Sequence, residues 1–409
     1  MKKILKLRDI CYLSSNNFDD NYVGIKFLDD DIKIYFPLGY NIPDEDSECR
    51  KSIISLLKTI SIKDKLFNSD LKYSNKFDNK SEIPFYSFLW LINDYLSNGL
   101  YTDKEKVYKR GINGKINWKK TLNMPFYLYK NKAIYLNTYV EKNNIEDNVI
   151  TDIHSYCVGI SIKYIGWLFG NIAVPNNNII DSNLNYYIKI LNVEMSNSFD
   201  DHKISLLGHL KNVLETFKGN DQSKLKNYGT NQYEYIWEYM VNKVYGNENV
   251  EKYFPNSTYC LVGFDTNFNA ANLRPDTILS INNDVYILDS KYYKYGVTKN
   301  PLHLPSTSSI QKQITYGEHI NNNFGKVKNI FNAFIIPFNK NNNLFELSHN
   351  IEYVGFAESS WKNNTLCNYY EKISVILIDT KYLIDCYNKH VDNDLEKLIS
   401  SIQNIMSAF

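Results

Sequence analysis

Residues 274–293 read RPDTILSINNDVYILDSKYY and predict a hairpin that starts the central sheet of the second half of the chain. Strands are predicted at 273–281 and 285–290, from the apolar and β-branched side chains on both sides of a polar centre. Two acidic residues and a lysine interrupt this strand chemistry: Asp276, Asp289 and Lys291. Their position inside predicted strands calls for a functional explanation.

The turn of this hairpin determines which side chains face each other. Asparagine tolerates positive φ, so a two-residue Asn-Asn turn at 282–283 is predicted. Ile281 then pairs with Asp284, and the same register carried outward places Asp276 opposite Asp289. Directly opposed residues have Cβ atoms roughly 4.5 to 5.5 Å apart, where like charges are destabilising unless they are neutralised.

A divalent cation would neutralise this pair. Side chains alternate along a strand, so Val285, Ile287, Asp289 and Lys291 share one face and the lysine emerges beside both carboxylates. Hard carboxylate oxygens suit Mg²⁺, with Mn²⁺ as an alternative, and such an ion bridges readily to phosphate oxygens. The predicted chemistry is phosphodiester hydrolysis.

The alternative is structural: Asp276 is a polar residue at a strand edge, and Asp289 and Lys291 form a solvated ion pair. The tripeptide Asp-x-Lys is common, and the chain contains a second example, Asp379-Thr380-Lys381. That copy follows a predicted strand and precedes a predicted helix, so Asp379 or Thr380 is interpreted as an ordinary helix cap. It lacks an upstream Pro-Asp hairpin that would supply a second carboxylate.

Two flanking helices carry further candidates. In QYEYIWEYM, Glu234 and Glu238 lie on one helical face; Glu238 is favoured as an additional metal or water ligand, whereas Glu234 could also complete a capping box with Asn231. In SIQKQITYGEHI the supporting or DNA-binding candidates are Lys312, Gln313 and Tyr316, and the alternative for each is an exposed polar face. Residues 285–340 hold seven Lys and two acidic residues, a local balance that suits a phosphate-rich partner.

Length and composition limit the remaining choices. The 409 residues suffice for two domains, predicted as an N-terminal α+β domain at 1–220 and an α/β domain with a central mixed sheet at 228–409, separated by the polar segment 218–231. The formal net charge is +1, so no global field attracts nucleic acid or membrane. Scattered cysteines, without a sustained apolar segment, predict a cytoplasmic protein that does not enter the membrane.

RPDTIL, LDSKYY, the preceding acidic helix and IQKQITY resemble the PD-(D/E)XK nuclease superfamily. FPLGY (36–40), INDYLSNGLY (92–101), GKINWKKTL (114–122) and TDIHSYC (151–157) are similar to LlaJI-type restriction endonucleases, specifically their McrC-like cleavage subunit. The resemblance implies that Asp276, Asp289 and Glu238 hold the metal and that Lys291 is the catalytic lysine. Where many relatives have Gln-x-x-x-Tyr, Gln313 and Tyr316 are one residue closer.

The resemblance also implies partners: double-stranded foreign DNA, an McrB-like AAA+ GTPase subunit, and a cognate DNA methyltransferase in the same system. The chain has no GxxxxGK[S/T] motif, so GTP would act only through the partner. GKINWKKTL is interpreted either as a contact for DNA or partner, or as a β-turn with a core Trp118. The alternative function is a non-enzymatic McrC-like assembly factor that stimulates the GTPase.

Overall fold

The structure is a computed structural model, and it describes residues 6–17, 20–28, 31–62, 84–130, 132–146, 148–176, 179, 183–218, 227–325, 327–360, 368–389 and 393–408. The polar stretch 63–82, for which the sequence predicts a surface loop, lies outside the described residues, as does most of the predicted boundary at 218–231.

The strands of the described residues are β1 (Cys11–Leu13), β2 (Val23–Leu28), β3 (Asp31–Phe36), β4 (Asp103–Gly111), β5 (Lys115–Ile116), β6 (Tyr127–Tyr129), β7 (Lys132–Ile134), β8 (Thr138–Glu146), β9 (Asn227–Thr230), β10 (Thr258–Tyr259), β11 (Phe268–Asn269), β12 (Thr277–Ile281), β13 (Asp284–Ser290), β14 (Asn329–Phe338), β15 (Ile351–Ala357) and β16 (Ile373–Asp379). The α-helices are α1 (Asp46–Ile60), α2 (Phe85–Asn98), α3 (Trp118–Thr121), α4 (Val149–Ile165), α5 (Leu184–Asn197), α6 (Asp201–Phe217), α7 (Tyr233–Tyr245), α8 (Tyr295–Thr298), α9 (Thr307–Asn323), α10 (Thr380–Lys389) and α11 (Leu395–Gln403). The fold is mixed α/β, as predicted.

The chain forms two compact units, and their limits differ from the predicted division near residue 220. One unit combines residues 1–82 with 225–409, and the other holds 83–224. Strand pairing explains the difference, because β2 pairs antiparallel with β9, which joins the first strands to the second half of the chain. A side-chain contact adds to it: the Asn388 amide of α10 donates to the Ser55 carbonyl of α1 over 3.0 Å.

The discontinuous unit contains the predicted central sheet, with strand order β12-β13-β14-β16-β15. Its inner pairs, β13 with β14 and β14 with β16, are parallel, and both outer pairs are antiparallel. A second sheet in this unit has the order β1-β3-β2-β9 and includes the predicted hairpin of β2 and β3. The inner strands read as nearly continuous apolar runs because both of their faces are covered.

Helices cover both faces of the central sheet. Val285 and Ile287 of β13 pack in one buried cluster with Tyr316 and Ile320 of α9. On the opposite face, the Tyr286 hydroxyl accepts a hydrogen bond from the Gln403 amide of α11 at 2.8 Å. Burial of each large apolar side chain contributes roughly 1.5 to 3 kcal/mol, so these contacts fix the alternation of β13.

The unit formed by 83–224 has a helical core of α2, α4, α5 and α6, together with the β4-β8-β5 sheet and the β6-β7 hairpin. Helix α2 ends before Gly99, whose φ of 77° lies in the left-handed region that glycine adopts without strain. Helix α4 begins with a capping box between Asn148 and Thr151. The apolar spacing of 85–99 and of much of 147–217 predicts helices, and FYLY and AIYLNTY predict a hairpin around Lys130; the structure confirms both.

Candidate active site

The hairpin of β12 and β13 has the predicted register. Asn282 and Asn283 have φ values of 52° and 68°, the pair of positive angles that a type I′ turn requires. Ile281 pairs with Asp284, and the ladder continues to Thr277 opposite Leu288. The next position in this register places Asp276 across from Asp289.

The strand that carries Asp276 is shorter than predicted. It begins at Thr277, not at Leu273. Pro275 has no N–H to donate to a ladder, and the N–H of Leu273 instead donates to the Pro255 carbonyl over 3.1 Å. Asp276 therefore sits at the mouth of the hairpin, where its carboxylate accepts a hydrogen bond from the backbone N–H of Ser290 at 3.0 Å.

Asp289 and Lys291 form an ion pair at the carboxyl end of β13. The Lys291 ammonium lies 2.7 Å from a carboxylate oxygen of Asp289, and both side chains are largely buried. Burial opposes the charge of Lys291, but Asp289 and then Asp276 outweigh it and hold the lysine pKa above its usual value. The ion pair places the lysine at Asp289, as the alternation along β13 predicted, and the charge of Asp276 acts on the lysine pKa as well.

Tyr316 reaches the same cluster from α9. Its hydroxyl donates to the backbone carbonyl of Arg274 at 3.0 Å, which fixes the segment that leads into Asp276. Burial raises the pKa of this phenol, and the charges of Asp289, Asp276 and Glu238 raise it further. Helices α9 and α7 both pack against β13, the strand that carries Asp289. The predicted exposed-face alternative for Tyr316 is wrong, because the side chain is buried.

Helix α7 is fixed to the sheet beside the cluster. The indole N–H of fully buried Trp237 donates to the Ile335 carbonyl at 3.3 Å, and that carbonyl also accepts the backbone N–H of Lys291 at 2.9 Å. Glu238 follows Trp237 and is half-buried. This shared carbonyl places the Trp237 turn of α7 beside the backbone of Lys291.

Glu234 is placed differently. Helix α7 begins at Tyr233 with Gln232 as its N-cap, so Glu234 occupies the second helical position. The capping box predicted from Asn231 is therefore wrong, because such a box needs its acidic residue at the third position. Glu234 is exposed. Burial of Tyr292 raises the pKa of its phenol, and the charge of Glu234 raises that pKa further.

The remaining α9 candidates, Lys312 and Gln313, differ in burial. Lys312 is exposed, and no hydrogen bond or ion pair within the described part of the chain joins it to the carboxylates. Gln313 is fully buried, which excludes the exposed-face alternative for it. Its backbone carbonyl accepts the Asn332 amide at 2.8 Å, and its own amide nitrogen and oxygen have no hydrogen-bond partner among the described residues.

The second Asp-x-Lys set behaves as the cap predicted from the sequence. Asp379 ends β16 and accepts hydrogen bonds from the N–H groups of Tyr382 at 2.8 Å and Lys340 at 3.0 Å. The Thr380 hydroxyl donates to the Leu38 carbonyl at 2.8 Å. Burial raises the pKa of Asp379, partly offset by these two N–H donors. This aspartate completes a helix start.

Sequence reasoning missed the N-terminal residues that support the site. The Leu38 N–H donates to the hydroxyl of buried Tyr292 at 2.6 Å, and the Asn16 amide donates to the Tyr292 carbonyl at 2.9 Å. Both bonds fix the backbone next to Lys291. Gly39 of FPLGY (36–40) signals a close approach of this segment to another strand, since an added Cβ would lie 2.9 Å from the Phe338 backbone of β14.

The donor set suits a hard cation with few protein ligands. Among the described residues, no group of three or more His, Cys, Asp and Glu side chains is arranged to hold a metal ion. Mg²⁺, however, is commonly bound through one or two carboxylates, with water and substrate phosphate completing its shell. Asp276 and Asp289 fit that requirement, and the ligand role of Glu238 stays a prediction.

The chain matches the model of a restriction endonuclease family, which implies that the protein is a hydrolase that cleaves DNA. The chain belongs to the LlaJI restriction endonuclease family, whose model matches residues 22–397. No curated protein sequence matches the chain significantly.

Among solved structures, the chain is similar to a half-complex from the tetradecameric assembly of Thermococcus gammatolerans McrB AAA+ hexamers with bound McrC. It is 14% identical and covers 94% of this chain and 83% of that chain, with a TM-score of 0.39. A TM-score this low does not establish a shared fold. Separately, no helix in the described part of the chain is both long and apolar enough to cross a bilayer.

Proposed function

We propose that this chain is a Mg²⁺-dependent DNA endonuclease of the PD-(D/E)XK type, the cleavage subunit of an McrBC-like restriction system. The observation that carries the proposal is the cluster of Asp276, Asp289 and Lys291 at the end of the β12-β13 hairpin. Mg²⁺ held by the two aspartates would supply charge neutralisation and polarisation of a phosphate oxygen. Membership of a restriction endonuclease family supports the DNA substrate.

The chain's own residues then divide the work. A lysine pKa above its usual value means that Lys291 stays protonated at neutral pH, so it acts as a fixed positive charge. It would stabilise negative charge that develops on the phosphodiester during in-line attack by water. Asp289 holds the ammonium in place, and the Ser290 N–H holds Asp276. Tyr316 positions the Arg274 backbone and is a positioning residue.

Cleavage of plasmid DNA tests this proposal. The chain, reconstituted with its partner, is expected to nick plasmid with Mg²⁺ and to stop when EDTA is added. Asp289→Asn and Lys291→Ala should each lower the cleavage rate by at least about 100-fold, the scale of one lost transition-state contact. Lys381→Ala, in the second Asp-x-Lys set, is the matched control and should cleave normally. Unchanged cleavage by both site variants would falsify the proposal.

The same experiment separates the rival function. A non-enzymatic assembly factor would stimulate nucleotide hydrolysis by its partner yet produce no nicks at any divalent ion concentration. The partner itself, an AAA+ GTPase of the McrB type, is part of the proposal. Its support is the resemblance of the sequence motifs and the absence of a GxxxxGK[S/T] motif from this chain.

A further inference from the structure

A segment of the 83–224 unit, far along the chain from the nuclease candidates, combines positive charge with exposed aromatic rings. Residues 108–140, here named the basic-aromatic segment, contain seven Lys and Arg and no Asp or Glu, whereas the whole chain has a net charge of +1. All seven basic side chains are exposed: Lys109, Arg110, Lys115, Lys119, Lys120, Lys130 and Lys132. The segment therefore concentrates positive charge and contains no acidic residue to balance it.

The same segment exposes large aromatic rings. Trp118 is 58% exposed, Tyr127 66% and Tyr129 61%. These values decide between the two interpretations of GKINWKKTL, because Trp118 is not a core residue. Two lysines lie against rings, with the Lys120 ammonium 4.2 Å from the Tyr108 ring centre and the Lys130 ammonium 5.5 Å from that of Tyr129. Basic and aromatic groups are therefore interleaved along the segment.

Hydrogen bonds around a short helix hold Trp118 in its exposed position. Asn117 caps the short helix α3 by accepting the N–H of Lys120 at 3.0 Å. Thr121 at its end is fully buried, and its hydroxyl accepts the Tyr139 N–H at 2.9 Å. Asn117 in turn donates its N–H to the Tyr139 carbonyl at 2.7 Å. These backbone and side-chain hydrogen bonds hold Trp118, Lys119 and Lys120 outward from strand β8.

We propose that the basic-aromatic segment binds a DNA strand with unpaired bases, with lysines on the phosphates and with Trp118, Tyr127 and Tyr129 as stacking platforms. Aromatic faces stack on any base, and a surrounding row of cations tracks the backbone. A protein partner fits less well, because lysine is depleted from protein interfaces and seven like charges would repel one another without a polyanion. This binding surface goes beyond the proposed cleavage chemistry.

Fluorescence anisotropy with a labelled oligothymidine of roughly 15 nucleotides tests the proposal on the full chain, in EDTA so that no cleavage interferes. The combined variant Trp118→Ala/Tyr127→Ala/Tyr129→Ala should weaken binding by at least about tenfold, because one stacked base already contributes that much. Lys119→Ala/Lys120→Ala/Lys130→Ala should reduce the slope of log K against log salt by about 2, as three phosphate contacts are lost.

Tyr186→Ala/Lys189→Ala is the matched control, since both side chains are exposed on α5 of the same unit. It should bind the oligonucleotide like the unaltered chain, and circular dichroism checks that every variant is folded. Weaker binding of the aromatic variant to the single strand than to a duplex of equal length supports stacking. Equal binding by the aromatic variant and the control overturns the proposal, as does equally effective competition by polyglutamate, which would identify an acidic protein partner. Because cleavage is absent, these results stand whether or not the nuclease proposal holds.

Discussion

The backbone N–H of Ser290 donates a hydrogen bond to the carboxylate of Asp276 over 3.0 Å, across the mouth of the β12-β13 hairpin. Asp276 directly precedes Thr277, the first residue of β12. The hydrogen bond ties its carboxylate to the backbone at the end of β13. The acidic pair is therefore held by the backbone, and its geometry depends on the turn.

The turn gives the first prediction. Asn283 has a φ of 68°, a conformation that costs most other L-residues roughly 1 to 2 kcal/mol. Asn283→Val should lower the free energy of unfolding by about that amount and slow cleavage, because the register places the aspartates. Asn283→Gly is the matched control and should be neutral or slightly stabilising. Urea unfolding of both variants checks this; a stable Val variant would argue against the type I′ turn.

The two Asp-x-Lys sets should respond in opposite ways. Asp379→Ala removes the acceptor for the N–H groups of Tyr382 and Lys340, so we expect a loss of about 1 to 2 kcal/mol in stability. The folded Asp379→Ala protein should still cleave DNA. Asp289→Asn keeps the shape of the side chain and should retain the unfolding midpoint within a few degrees while cleavage is lost. Thermal unfolding and plasmid nicking, measured on both variants, compare the two roles.

Tyr316→Phe tests the positioning role. The substitution deletes the hydroxyl that donates to the Arg274 carbonyl and leaves the buried ring in place. We expect a stability loss of about 1 kcal/mol, the usual net value of one hydrogen bond. Cleavage should fall through kcat, with KM nearly unchanged, because Asp276 loses its orientation while DNA contacts remain. A change confined to KM would instead indicate that the phenol contacts the DNA.

His154 should make the 83–224 unit sensitive to acid. Its ring nitrogen Nδ1 accepts the Tyr101 N–H at 3.0 Å, and burial lowers the pKa of the imidazole from 6.5 to about 4. Below pH 6.5 His154 binds a proton in the unfolded chain but not in the folded chain, so the free energy of unfolding falls as the pH falls toward 4. The full effect is about 3 kcal/mol. His154→Gln keeps an acceptor and should flatten the dependence of the urea midpoint on pH between 7 and 4.

Local chemistry made the hairpin predictable. Two adjacent asparagines, a Pro before Asp276 and strict alternation along β13 act within a few residues, so turn type, register and shared face all followed from sequence. The Asp379 cap was predictable for the same reason, since an aspartate between a strand and a helix meets the free N–H groups of the first turn.

Other features depend on contacts between distant residues and could not be read locally. The capping box of Asn231 and Glu234 was mispredicted, because α7 begins at Tyr233 with Gln232 as its N-cap. The burial of Gln313 came from α9 lying on β14, which polar side chains at helical spacing do not reveal. The bond from Leu38 to Tyr292 links residues separated by most of the chain.

The pairing of β2 with β9 has a consequence for synthesis. The hairpin of β2 and β3 leaves the ribosome early, yet its outer neighbour emerges only after the whole 83–224 unit. Until β9 is synthesised, the edge of β2 is unpaired, and an unpaired strand edge can pair with other chains. A fragment ending at residue 220 would keep that edge permanently, so we expect it to aggregate, whereas a fragment limited to the 83–224 unit should stay monomeric during expression.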